Sequence, residues 1–182
     1  MITIETISIV FTGLSISLAA FYYINTLRYT RRNQELQLES RNLQLFMQLY
    51  QQMSSPEAVQ AFMEIMYYDW DDYDDFVLKY GAENNTVAYG KYMSVIRRYN
   101  TIGILLRDKN IDAELLWDYI GDSVIGVWDK YGEIVREWRA YLNRPWLFEW
   151  FEFLVDEMNN IKSNRGFTEP QSYAWKKANP DD

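Results

Sequence analysis

TISIVFTGLSISLAAFYYINTL, residues 6–27, is the stretch whose reading decides this chain. Its 22 residues include no charged side chain and no proline. At ~1.5 Å of rise per residue, about 20 apolar residues cross a ~30 Å hydrocarbon core, so the stretch predicts one transmembrane helix. A cleaved signal peptide would carry a positive leader and a shorter apolar run, whereas Glu5 is the only charge before this one. An interfacial amphipathic helix needs a charged face, and a buried core helix is seldom apolar all round at such length. Arg28, Arg31 and Arg32 crowd the C-terminal flank. By the positive-inside rule they set the topology, placing the N-terminus outside and the main domain in the cytoplasm, at the cell membrane. Tyr22, Tyr23 and Tyr29 suit the headgroup layer at that end. Gly13 and Ser17 lie at small-xxx-small spacing, with Ala20 near the same face, and would let another helix pack closely.

The remainder of the chain bounds its chemistry by what it lacks. With no cysteine and no histidine, disulfides, thiolate nucleophiles, cysteine zinc sites and Ser-His-Asp mechanisms are all excluded within this chain. The formal charge of −8 is unevenly spread: residues 1–53 hold four Arg against three Glu, and residues 54–182 hold 14 basic against 23 acidic side chains. So acidic a body argues against nucleic acid as a partner. Seven Trp and fifteen Tyr favour an interaction protein, because these residues are enriched where proteins meet.

Outward from the span, a short external stub (1–5) precedes it and a stalk helix (28–53) follows. No glycine or proline interrupts residues 28–53, so one helix is expected from about residue 4 to Met53. Leu38, Asn42, Leu45, Phe46, Leu49 and Met53 form a helical stripe. A rival heptad seam, Leu36, Leu43 and Tyr50 with Arg32, Glu39, Phe46 and Met53, places two charges in a coiled-coil core. A helical bundle of about five helices then fills 54–162. Ser55 caps and Pro56 opens its first helix, which buries Val59, Phe62, Met63 and Met66. Asp71 or Asp72 caps a short helix ended by Gly81. The next runs from about Val87 to Asp108, with Val95, Tyr99, Ile102, Leu105 and Leu106 inward. Asp112 caps another, facing Leu115, Leu116, Tyr119 and Ile120 inward, and Gly121 predicts a break or kink before Trp128, Tyr131, Val135, Trp138 and Leu142. A last helix is expected from Pro145 to about Lys162. Residues 163–182 read as an extended tail, in which Phe167, Tyr173 and Trp175 would contact a partner. The fold class is therefore all-α, one membrane helix continuing into a stalk and a cytoplasmic bundle.

Three clusters invite chemistry. Five Asp between Asp69 and Asp75 resemble a calcium loop, but an EF-hand needs Gly at position six and Glu at twelve, where Asp74 and Tyr80 stand. An acidic helix cap is the simpler reading. Glu149, Glu152, Asp156 and Glu157, supplemented by Glu133 and Glu137, could hold a di-metal centre, yet bundle sites of that type use Glu-x-x-His. Ion pairs with Arg136, Arg139 or Arg144 explain them better. Arg97-Arg98 and Lys176-Lys177 are too sparse for a phosphate groove, and no Gly-rich phosphate loop is present. No catalytic residue, metal or cofactor is assigned.

DYDDFVLKYG (72–81), RRYNTIGILLRDKNIDAELLWDYIGDSVIGVWDKYGEIVREWR (97–139) and PWLFEWFEFLVDEM (145–158) occur in that order. This succession resembles an uncharacterised family of small membrane-anchored helical proteins, classed as a domain of unknown function. The resemblance covers about residues 72–158 and implies the architecture, but no catalytic residues.

The function expected from these features is a non-enzymatic, single-pass accessory or scaffolding subunit of a larger membrane protein complex. Its partners would be the lipid bilayer and other membrane subunits. The alternative is a self-associating sensor or adaptor, a homo-oligomer with a coiled-coil stalk.

Overall fold

Four of the helices start where a short polar side chain accepts a backbone N–H that the helix leaves unpaired. In the computed structural model, which describes residues 4–166 and only the backbone of 5–10, six helices form, and no strand occurs among the described residues. They are α1 (Ile4–Met53), α2 (Pro56–Met66), α3 (Tyr73–Tyr80), α4 (Thr86–Arg107), α5 (Ala113–Leu142) and α6 (Glu149–Asn164). Ser55, Asp72, Asn85 and Asp112 accept the N–H of Ala58, Asp75, Ala88 and Leu115 at the starts of α2 to α5. The chain divides into two units, Met1–Gln44 and Leu45–Asp182.

The first unit is the N-terminal part of α1. Here the membrane reading is corrected: among the described residues, no helix is long and apolar enough to cross a membrane. The expectation rested on the absence of charge, and absence of charge is not apolarity. From Phe11 to Leu27 the apolar side chains alternate with Gly13 and with Thr12, Ser15, Ser17, Asn25 and Thr26, and α1 continues without interruption into Arg28. The single-pass cell-membrane assignment, with its outside N-terminus and cytoplasmic domain, falls with the span. So does the topology role given to Arg28, Arg31 and Arg32, which are simply exposed on α1.

The second unit is built on α4, α5 and α6. α4 meets α6 most extensively, and Gly103 allows it: its backbone lies against that of Trp150, with no room for a Cβ. Ile96, Ile102, Val124, Val127, Leu154 and Met158 fill the space between these helices and are fully or almost fully buried. Burying a side chain of this kind stabilises by about 1.5–3 kcal/mol before entropy is charged against it. α2 adds Ile65, and the end of α1 adds Phe46, Leu49 and Met53, packed on the same core.

Three boundaries differ from the expectation. α5 is unbroken at Gly121, because the Trp117 ring occupies the space a Cβ would need, 2.4 Å from its Cε3. That glycine makes room for a ring and does not end the helix. α6 begins at Glu149 and not at Pro145, because Phe148 adopts a left-handed backbone with φ 55°. Val59, Leu115 and Leu142, expected inward, are partly exposed, while Ile65 is the fully buried residue of α2.

Candidate functional site

Two features stand out, one in each unit. On α1, Phe11, Leu14, Ile16, Leu18, Phe21 and Ile24 are all exposed. At about 100° per residue they spread over roughly 220° of the helix, and Thr12, Ser15, Ala19 and Thr26 share the sector left over. The hydroxyls among them turn inward on their own helix: Ser15 donates to the Phe11 carbonyl (2.9 Å), Ser17 to Gly13 (2.8 Å), and Thr26 to Tyr22 (2.9 Å). Their polarity is thereby masked. Gly13 and Ser17 are joined by such a bond, and a Cβ added at Gly13 would meet nothing within 4 Å, so that face is open to a neighbour. Phe167, Tyr173 and Trp175, together with Lys176 and Lys177, lie outside the described residues.

In the second unit, a cavity of about 510 Å³ opens between α3, α4 and the α5–α6 turn. Its wall is aromatic. Tyr92 of α4 and Trp138 of α5 face each other nearly in parallel, with centroids 6.0 Å apart and planes at 24°. Phe148 reaches Trp138 at 6.4 Å from the left-handed turn. Phe76 closes the floor against Tyr92 at 5.2 Å. Two cations line the opening, Arg97 from α4 and Arg144 from the turn. Neither makes an ion pair with a described residue, whereas Lys79, Lys91, Arg107, Arg139 and Arg165 all do. The Tyr92 side chain is 1 % exposed, and its hydroxyl finds no hydrogen-bond partner among the described residues. Burial pushes that hydroxyl's pKa well above the ordinary tyrosine value. Tyr73, also in the wall, is raised by burial first and then by the carboxylates of Glu137 and Asp74.

The acidic clusters serve the helices. Asp72 caps α3, and Asp75 accepts the Asp71 N–H at 3.0 Å and the Lys79 ammonium at 2.6 Å. Glu152 accepts from Arg139 at 2.6 Å, and the same guanidinium donates to the Leu147 carbonyl at 2.8 Å, tying the α5–α6 turn to α6. Among the described residues, no group of three or more His, Cys, Asp or Glu is placed to hold a metal ion.

Sequence reasoning named Arg97 only as part of a basic pair, and it did not join Tyr92, Trp138, Phe148 and Arg144. They come from three separate elements, and no periodicity links them. The left-handed backbone of Phe148 carries no signal either, since glycine and asparagine are the residues that normally mark it.

No curated protein and no solved structure matches the chain. A family match extends over α1 as well as the helical body, beyond the motifs of residues 72–158. The membrane anchor that the resemblance implied is not supported. Residues 3–158 match the family described as Domain of unknown function (DUF4760), and the chain belongs to that family.

Proposed function

We propose that this protein is a non-enzymatic accessory or scaffolding subunit, whose α1 packs against helices of a different protein in a larger assembly. The observation that carries this reading is the broad exposed apolar surface of α1 between Phe11 and Leu27. Exposed apolar patches of this extent mark interaction surfaces. Gly13, Ser17 and Ala20 supply a small-residue face for close backbone approach. Tyr22, Tyr23 and Tyr29, all well exposed, are residue types that interfaces favour.

Self-association through the heptad seam is the second reading, and one observation weakens it. Phe46 and Tyr50, in that seam, are engaged by Tyr119 of α5, at ring distances of 5.7 and 5.2 Å. A coiled coil running to Met53 would have to displace them.

A photocrosslinking residue at Leu18 or Phe21, with Leu78 as an exposed control, tests the proposal in cells of origin. Crosslinks to one different protein, from 18 and 21 and not from 78, support it. Products between copies of this chain alone favour the second reading, and absence of crosslinks from both α1 positions contradicts both.

A further inference from the structure

We propose that the cavity between α3, α4 and the α5–α6 turn binds a small aromatic carboxylate, its ring against Trp138 and Phe148 and its charge at Arg97 and Arg144.

The size comes first. About 510 Å³ lies within the range of small-molecule sites, and it exceeds what a few waters need. The shape comes next. Trp138 and Phe148, both half-buried, offer ring surface against which an aromatic body packs, and the buried Tyr92 ring backs Trp138.

Charge selects the sign. The body of the protein is strongly acidic, holding 23 carboxylates against 14 cations. Yet Arg97 and Arg144, which share this cavity, are both without one among the described residues. A guanidinium is a planar two-pronged donor that matches a carboxylate, and it keeps its charge at any physiological pH. The carboxylates of Asp74 and Glu137 act on Tyr73, at the α3 side of the wall, and would repel an anion placed there. They confine the charged end of the ligand to the arginines.

A polar donor is already waiting. Tyr92 carries into the cavity wall a hydroxyl that makes no hydrogen bond to a described residue. A ligand oxygen would satisfy it. Phe148, a bulky side chain at positive φ, holds a local backbone cost at the same wall.

The test uses the full chain and two probes of nearly identical shape, 2-naphthoate and neutral 2-naphthamide. Binding is followed by NMR through the indole N–H of Trp138, identified by its loss in Trp138→Phe. The expected result is saturable movement with 2-naphthoate and at least about tenfold weaker binding of 2-naphthamide. Arg97→Gln and Arg144→Gln, both at exposed positions, should each weaken 2-naphthoate by about fivefold or more and leave 2-naphthamide unchanged. Tyr92→Phe should weaken 2-naphthoate by about threefold, since it keeps the ring and removes the donor. Equal affinity for the two probes, no saturable movement, or arginine variants that bind as wild type would each overturn the proposal. It stands independently of the α1 proposal, because no α1 residue lines the cavity.

Discussion

Replacing Gly103 with alanine tests the packing of the helical body most sharply. An added Cβ would lie 1.8 Å from the carbonyl oxygen of Trp150 and 2.6 Å from its carbonyl carbon. Ordinary contact begins near 3.4 Å, so the α6 backbone must retreat by roughly 1.6 Å. The obstacle is backbone and not a flexible side chain, so no rotamer change relieves it. Overpacking of this kind costs about 3 kcal/mol, against a helix-propensity gain of at most ~1 kcal/mol, leaving ~2 kcal/mol of net destabilisation. For a body of this size, that lowers the melting temperature by roughly 6–8 °C. Gly90→Ala in the same helix is the internal control. Gly90 is exposed, and a Cβ there meets nothing within 4 Å, so the substitution should raise stability by about 0.5–1 kcal/mol. Both are read by circular dichroism at 222 nm during thermal melting. Opposite shifts are expected from one residue change on one helix; a Gly103→Ala protein melting at or above wild type would refute the close α4–α6 contact.

Three further outcomes follow from the same structure. Asp112→Ala removes the cap at Leu115 and should cost about 1 kcal/mol in urea unfolding, leaving the slope unchanged. Tyr92, Tyr99 and Tyr131 are raised by burial, Tyr99 to about 12, so absorbance at 295 nm should show them titrating later than exposed tyrosines. Their contribution to stability is complete below the ordinary tyrosine pKa of about 10 and is lost as pH rises above it. In acid the sign reverses. Asp75 is held below its ordinary value by Lys79 and the Asp71 N–H, and Glu64 by Lys91 and Gln60. Their contribution is present above the ordinary carboxylate range and lost as pH falls through the lowered values, so the urea midpoint should drop below about pH 4. Asp75→Asn combined with Glu64→Gln should flatten that drop.

Most helix starts were legible because capping is local. Ser55-Pro56, Asp72 and Asp112 each announce a helix within three residues, and each does cap one. Asn85 caps α4 in the same way. Where the reading failed, distance in sequence was the cause. Gly121 reads as a helix breaker until the Trp117 ring beside it is known, and Gly103 gives no hint of Trp150. Phe148 ends a turn by a backbone conformation that its side chain does not encode. The α1 stretch failed for another reason: an uncharged run was equated with an apolar one, and its hydroxyls, amide and glycine were given no weight. The cavity was illegible because Arg97 and Arg144 lie on opposite sides of a whole helix in the chain.

The chain contains no cysteine, so Leu18→Cys gives a single reporter in the middle of the exposed α1 surface. Its rate of labelling by a water-soluble maleimide, compared between clarified detergent-free cell extract and the purified chain, tests the central claim most directly. A partner protein covering α1 predicts slow labelling in extract and fast labelling after purification. Equal rates in both would contradict it, as would recovery of the chain only in carbonate-washed membranes.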